Sequence, residues 1–442
     1  MSNVNSHVLL SESNEPSTVW LPVPVDEVRP PPHEPVRCDV AVIGGGLAGL
    51  STAIHIRQMA PRLDVALFES GRIGYGASGL NSGQCAPRMG PAIDAQIRSL
   101  GGDTARVAYQ YSLDAVAFGA NLASAHGIDC DLESRGQWQV ALRERDARTL
   151  ERHAEAYRSL GFDVPLVSAS DVRAALPDSN RVFNALAFPA SLLNPGRLCI
   201  GLKRAALNLG VRIFEHARVT RWDRRTGAFD VHSVQASAPR VVLAVDGGVG
   251  QLDHFRHAVI PISAWAAVTR ALAPDERAAI GWRQGQGLFD ARPAFSFLRP
   301  LPDGRLLIGG RYRHARNGLV EADRRLVGRD LIEQLRFFLP SLRDVTAEAV
   351  WHGNFGCTLD EWPIVGPLDD DLRHWHIGAS NGHGLALSLA MGRDLAAMLT
   401  GNVPLPPRPW IRRHAMGLPE PLMRVFLPLY LAWLERASRL TS

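Results

Sequence analysis

Apolar and polar positions fall in blocks along the chain. Val40-Ala41-Val42-Ile43 is a continuous apolar run, the pattern of a strand buried on both faces of a parallel sheet. Leu50, Ala53, Ile54 and Ile56 then recur at helical spacing and stop at Pro61. Val65-Ala66-Leu67-Phe68 is a second buried strand that closes on Glu69. Strand, helix and strand in so short a stretch make a βαβ unit. Residues 93–187 mix helical periods with a strand at Trp138–Leu142. A helix from 196 ends at Gly210 and feeds a strand at Val211–Phe214. Arg240–Val245 is another buried strand, running into Gly247-Gly248. Beyond residue 250 the pattern turns strand-rich, as at Leu306-Leu307-Ile308, and residues 363–398 predict a loop, a strand, a glycine turn and a last helix. Six prolines between positions 22 and 35 deny residues 1–36 a helical period and predict an extended surface arm.

Gly44-Gly45-Gly46-Leu47-Ala48-Gly49 joins the first strand to the first helix and fits G-x-G-x-x-G. Alone the pattern is weak; between a strand and a helix it is a dinucleotide-binding turn. Gly44 permits the tight turn, Gly46 lets backbone approach a pyrophosphate, and Gly49 lets helix pack on strand. The helix N-terminus offers Leu47 and Ala48 N–H groups to phosphate. Glu69, twenty residues after Gly49, ends the next strand, where a carboxylate accepts from ribose hydroxyls and repels a 2′-phosphate. The motif leaves FAD and NAD open. The alternative reading is a glycine-rich turn without a ligand.

Composition narrows the class. With 442 residues there is chain enough for two cores, and a hydrophobic fraction of 46% excludes a disordered chain. The net charge is only +4 and no run of five Lys/Arg occurs, which argues against nucleic-acid binding. Five cysteines without a C-x-x-C predict neither a disulfide framework nor a metal site. Residues 1–17 lack a signal-peptide pattern and no apolar run is long enough to span a bilayer, so a cytoplasmic protein is expected. Lys203 is the only lysine, so lysine chemistry has one possible source.

Three ordered blocks carry a resemblance. "CDVAVIGGGLAGLSTAIHI" with "VALFES" and "RIGYGASGLNSGQ", then "VVLAVDGGVGQL" at 241–252, then "WHGNFGCTLDEWPIVGPL" at 351–368 with "GASNGHGLALSLAMGRDLAAML" at 378–399, resemble the D-amino acid oxidase/glycine oxidase superfamily of FAD enzymes. Within it the γ-glutamylputrescine oxidoreductase branch is the most similar. The resemblance implies an α/β (α+β) chain: a Rossmann-like FAD-binding domain (37–92, 188–250, 352–402) interleaved with an antiparallel-sheet substrate domain (93–187, 251–351), and a helical tail at 403–442. It implies that Glu69 and Ser70 hold the adenosine ribose end. Gly76, Ala77, Ser78, Asn81, Ser82, Gly83 and Gln84 would form a loop beside the isoalloxazine ring. Val219 would lie on the strand that meets adenine. Gly382, His383 and Gly384 would open the last helix at the pyrimidine end, where a helix N-terminus offsets charge on the reduced flavin.

The implied reaction is oxidation of an amine C–N bond to an imine by hydride transfer to flavin N5, with O2 or another acceptor taking the electrons. A γ-glutamylputrescine-like or other extended amine is the expected substrate. The alternatives are a simple or N-methyl amino acid (glycine, sarcosine, a D-amino acid), and a catalytically idle FAD-fold subunit. Aligning on Asp360-Glu361 puts Gly353 where sarcosine-oxidase-like relatives carry a flavin-linking cysteine, with Cys357 out of register; non-covalent FAD is therefore expected. Where those relatives carry lysines for O2 and for the substrate carboxylate, this chain has Leu307 and Ala386. Arg311 is the first candidate to bind an anionic group, with Tyr312 and His383 as further catalytic candidates. Strand alternation would send Arg313 the same way as Arg311. Trp265 and Tyr75 are candidates for the pocket wall, with a plain core position as the alternative for each. Apolar residues from Met423 to Leu434, flanked by Arg424, Arg436 and Arg439, predict a tail that packs on the body, on a second copy as a homodimer, or on a membrane surface.

Overall fold

A computed structural model describes residues 18–21, 28–252, 255, 257–315 and 323–438 of the chain. Residues 1–17 and 22–27 of the expected arm, and Arg439 of the tail, lie outside the described residues. The part of the arm that is described is not all on the surface: Trp20 is buried and packs beside Leu80 and Trp351.

The βαβ unit forms the middle of a six-stranded sheet. β1 (Val40–Ile43) and β2 (Val65–Phe68) pair in parallel, and α1 (Leu47–Met59) connects them. The strand order runs 364–367, 374–378, 240–243, β1, β2, 212–214, and only the edge strand Ile364–Pro367 is antiparallel to its neighbour. All four residues of β1 and of β2 are buried, as an apolar run without alternation requires when both sheet faces are covered. α1 and α3 (Gly384–Leu399) pack against one another in one large apolar cluster with Val42, Leu67 and Trp375. A small four-stranded sheet, with Val219–Asp223 at one edge, covers the other face through Phe229 and Val231.

An eight-stranded sheet takes the rest of the strands. Its order is 347–357, 260–269, 306–314, 297–300, 287–290, 137–141, 184–188, 166–168. All neighbours are antiparallel except Gly287–Asp290 against Gln137–Ala141. Three long strands matter for the site: β3 (Ile260–Thr269), β4 (Leu306–His314) and β5 (Ala347–Cys357). Their alternation sorts two faces. Ala266, Val268, Leu307 and Trp351 turn toward Leu80 of the 77–80 helical turn. Trp265, Ala267 and Ile308 turn toward α2 (Arg324–Phe338), whose Leu331 and Leu335 are fully buried. The stretch Trp351–Gly356 is part of continuous β5, so the expected boundary at 351/352 falls inside a strand.

The tail forms α4 (Glu420–Ala437) and packs on the body through Leu427, which meets Ile260 and Ile262. Its outer stripe stays exposed: Leu422, Val425, Phe426, Leu429, Tyr430 and Trp433. Among the described residues no helix is long and apolar enough to cross a membrane. All five cysteines are free thiols, four of them buried.

Candidate cofactor and active site

The cradle is built where β1 meets α1. Gly44 has φ +111°, a conformation that favours glycine, and its N–H donates to Phe68 O at 2.8 Å. Gly49 lies so close to Gly44 that a methyl group there would overlap the Gly44 carbonyl oxygen. Gly46 is the N-cap of α1 and brings no side chain to the first turn. Instead the Leu47 N–H donates to Ser78 Oγ at 2.9 Å, and Ala48 follows in the same open turn. A serine hydroxyl thus fills the place where a helix N-terminus would take phosphate oxygens. Glu69 stands at the mouth: Oε2 accepts from Gly45 N at 2.7 Å, and Oε1 accepts from Gly71 N at 2.8 Å and from the Ser70 hydroxyl at 3.1 Å. Its carboxylate is fixed in place and keeps lone pairs for further donors. This bare N-cap, serine stand-in and anchored carboxylate fit a dinucleotide cofactor. Val219 starts its strand two residues beyond Ala217, whose N–H donates to Glu69 O at 2.7 Å, which brings it to the same end.

The 76–84 loop is a helical turn, Ala77–Leu80, capped by Gly76. Asn81 closes it: its amide donates to Ser78 O at 2.7 Å and to Ala77 O at 3.1 Å, and its Oδ1 accepts from Gly83 N. Gln84 Oε1 accepts from Gln137 at 2.7 Å, while Gln84 Nε2 is buried without a hydrogen-bond partner among the described residues. An orphaned donor in this loop has capacity for a bound group. Beneath it lies Arg299, 2% exposed, which donates to the carbonyls of Ser82, Gly83 and Leu193. Burial without a carboxylate partner lowers its pKa to about 10. It holds the loop by its carbonyls, and no local motif could have pointed to it.

Three segments converge on this loop. A methyl group on Gly353 of β5 would lie 3.4 Å from Ala77 Cα, and Trp351 Nε1 donates to Leu80 O at 2.9 Å. The 379–384 segment opens α3, with Ala379, Asn381 and Gly382 all at positive φ. A methyl group on Gly382 would lie 3.4 Å from the Phe355 ring, and one on Gly384 would press on Ser380 Oγ at 2.7 Å. Asp246, itself at φ +45°, accepts from Ala379 N at 2.6 Å and from Gly356 N at 2.8 Å, tying the segment to β5. Burial raises its pKa against those N–H donors. Asp246 stands in the quoted "VVLAVDGG", yet its role depends on partners more than a hundred residues away.

His383 is the N-cap of α3 and makes no side-chain cap. Burial, then the Arg88 charge, hold its pKa well below the ordinary imidazole value, so the ring is neutral. Arg88 is half-buried, has no hydrogen-bond or ion-pair partner among the described residues, and acts electrostatically on both His383 and Tyr312. It too escaped the sequence reading.

Arg311 is placed differently from the expectation. Tyr312 pairs with Ala264 and Gly310 with Trp265, so Arg311 is an extra residue at a β-bulge, with φ +54°. The bulge breaks the strand period. Arg311 does not share an outlook with Arg313: it pairs with Asp330 of α2 at 3.2 Å, while Arg313 pairs with Glu435 of α4. Tyr312, next to it, donates its hydroxyl to Phe295 O at 3.2 Å. Trp265 is not a pocket wall but a core residue, 1% exposed, packed toward α2. Tyr75 lies under the Arg72 guanidinium at 4.8 Å. Lys203 is locked against Glu215 at 2.6 Å with side-chain exposures of 2% and 1%, away from this site.

A model of the FAD dependent oxidoreductase family, DAO, matches residues 39–398. The γ-glutamylputrescine oxidoreductase of Escherichia coli (strain K12) is 28% identical over 375 residues, covering 84% of this chain and 85% of that protein. A glycine oxidase of Bacillus licheniformis is 24% identical over 380 residues, covering 83% and 94%. The crystal structure of glycine oxidase from Geobacillus kaustophilus superposes with a TM-score of 0.73 at 22% identity, covering 86% of this chain and 100% of that one. The family match and the cradle that fits its cofactor lead to one conclusion: the chain belongs to the DAO family of FAD-dependent oxidoreductases, enzymes that act on amines and amino acids.

Proposed function

We propose that the chain oxidises an extended amine, γ-glutamylated or similar, at its C–N bond, with FAD bound non-covalently. Gly44, Gly46 and Gly49 would hold the pyrophosphate, Glu69 the ribose, the 76–84 loop the flavin ring, and the 382–384 turn its pyrimidine end. Gly353 offers no thiol for a covalent link. FAD supplies the hydride acceptor that amine oxidation needs. The chain itself must orient the amine, exclude water and keep the nitrogen neutral. A ring nitrogen of neutral His383 is available to accept a hydrogen bond from the amine and orient it.

The observation that carries the substrate reading is the absence of lysine. Leu307 and Ala386 are fully buried apolar residues, and the one lysine is consumed by Glu215. An anionic group beside the reacting carbon has no ammonium partner, which favours substrates that carry it farther away. Arg88 favours the second reading, a simple amino acid, because its guanidinium, unpaired among the described residues, could hold an α-carboxylate. Anaerobic mixing of the holoenzyme with γ-glutamylputrescine, glycine, sarcosine and D-alanine separates them. Faster bleaching of the flavin band by γ-glutamylputrescine supports the first. Faster bleaching by glycine or sarcosine, slowed by Arg88→Met, establishes the second.

The exposed stripe of α4 ends on exposed Arg436 and supports a peripheral contact with an anionic bilayer surface. Flotation with anionic but not neutral vesicles, lost in Leu429→Glu, is the expected result; a concentration-dependent dimer without flotation would overturn it.

A further inference from the structure

A cavity of about 270 Å³ lies beneath α4, lined among others by Arg292, Arg311, Tyr312, Gln334, Leu431 and Glu435. We propose that it receives the far end of the extended amine substrate, and that the end it fits is an α-amino carboxylate head. The proposal rests on the substrate reading above.

The charge pattern selects the head. Three charged side chains of the lining are each ion-paired: Arg292 with Asp290 at 2.6 Å, Arg311 with Asp330 at 3.2 Å, and Glu435 with Arg313. The signs balance, so a lone anion or a lone cation finds no complement, whereas a zwitterion finds both. The three pairs are not equivalent. Arg292 is committed: it donates to both Asp290 oxygens, to Ser296 and to Ser438 O, and serves as frame. Arg311 is not committed. Among the described residues its Nε is buried without a partner, and one Nη meets Asp330. A guanidinium with a free edge takes a carboxylate through two parallel bonds. Its backbone is held at φ +54° by the bulge, a strained conformation that re-aims the side chain away from the regular strand direction. Glu435 meets Arg313 through Oε1, leaving Oε2 for an ammonium.

The cavity borders an apolar cluster that leads toward the reaction side. Tyr312 lines it and shares an apolar cluster with Leu431 and Phe355. Phe355 in turn lies against Gly382, at the turn assigned to the flavin. A substrate seated this way spans from the charged head under α4, along Tyr312 and Phe355, to its reacting amine.

The test uses holoenzyme and three probes: γ-glutamylputrescine, N-butanoylputrescine, which lacks both head charges, and γ-glutamylmethylamide, which is the head alone. Dissociation constants come from the concentration dependence of the anaerobic flavin-bleaching rate for the amines and from calorimetry for the methylamide. In Arg311→Met the constant for γ-glutamylputrescine rises about tenfold or more, as loss of a bidentate charge-assisted contact requires. N-Butanoylputrescine binds as before. Arg311→Lys, which keeps charge without the fork, falls between. Glu435→Gln weakens the methylamide but not N-butanoylputrescine. Equal shifts for both putrescine derivatives, or none, overturn the proposal. If wild type binds the methylamide, the variants lose it, and γ-glutamylputrescine leaves the flavin oxidised, the cavity stands and the substrate reading falls. If γ-glutamylputrescine bleaches the flavin while the methylamide ignores both substitutions, the cavity assignment falls and the substrate reading stands.

Discussion

Gly46 and Gly49 lie three residues apart in one motif, yet their replacement by alanine is expected to fail in different ways. Gly49→Ala sets a methyl group into the Gly44 carbonyl, and both belong to backbone that cannot swing aside. The helix must retreat from β1, inside a cluster where Val42, Leu47 and Leu50 are at most 2% exposed. Overpacking of this kind costs about 1–3 kcal/mol, and a backbone obstacle belongs at the upper end. Gly46→Ala meets no such wall. Its φ of −76° and ψ of −178° suit any residue, and the nearest atom to the new methyl group is Ser78 Oγ at 2.8 Å. The fold then loses at most one side-chain hydrogen bond, about 1 kcal/mol. What it blocks is the approach of phosphate to the first-turn N–H groups. Losing one charge-assisted hydrogen bond there is worth about 1.5–3 kcal/mol, or roughly ten- to hundred-fold in FAD affinity. Urea unfolding of the apo forms and fluorescence titration with FAD measure the two quantities separately. Gly49→Ala should lose stability in the absence of FAD; Gly46→Ala should keep it and lose affinity. Wild-type FAD affinity in Gly46→Ala would refute the placement of the pyrophosphate.

Three further outcomes are expected. Glu69→Ala removes a charged acceptor facing the ribose end, so FAD affinity should fall roughly ten- to hundred-fold while the apo fold survives titration with urea. Lys203→Met strands the buried Glu215 carboxylate, which still accepts from Ile73 N and Arg29 N, and should cost about 3–5 kcal/mol in urea unfolding; adding Glu215→Gln should recover most of it. His383 has a pKa depressed by burial, so the unfolded chain binds its proton first: stability is full above the ordinary imidazole range and is lost as pH falls through it. The melting temperature of the holoenzyme should therefore drop between about pH 7 and pH 5, less steeply in His383→Asn, with His153, His352 and His374 contributing in the same direction.

What the sequence made legible was whatever its own neighbours decide. Gly44 to Gly49 and Glu69 could be read because a tight turn, a helix start and a strand end are local events. The apolar runs at 40–43 and 65–68 named their strands because both sheet faces are covered. The site's second layer is not local. Asp246 works through Gly356 and Ala379, Arg299 through Gly83 and Leu193, and each is an ordinary acid or base in its own stretch of chain. Arg88 resembles any other arginine until burial leaves it without a partner.

Arg311 shows how strand alternation assigns a residue a wrong direction. The period of two that assigns strand faces holds only while pairing is regular. Here register is set by β3, more than forty residues earlier, and β3 pairs Ala264 with Tyr312 but Trp265 with Gly310. The residue left over reaches Asp330 of α2, and Tyr312 beside it lines the same cavity under α4. The same irregularity gives Arg311 its use. On a regular strand its guanidinium would be either solvated or pressed against the flavin loops. At the bulge it stands at the edge of the cavity under α4, with its Nε buried and unpaired. If the bulge exists to aim that edge, restoring a regular register by deleting Arg311 should abolish the discrimination between γ-glutamylputrescine and N-butanoylputrescine while β4 still pairs. Discrimination that survives the deletion would mean the head is read elsewhere, with Arg88 the next group to test.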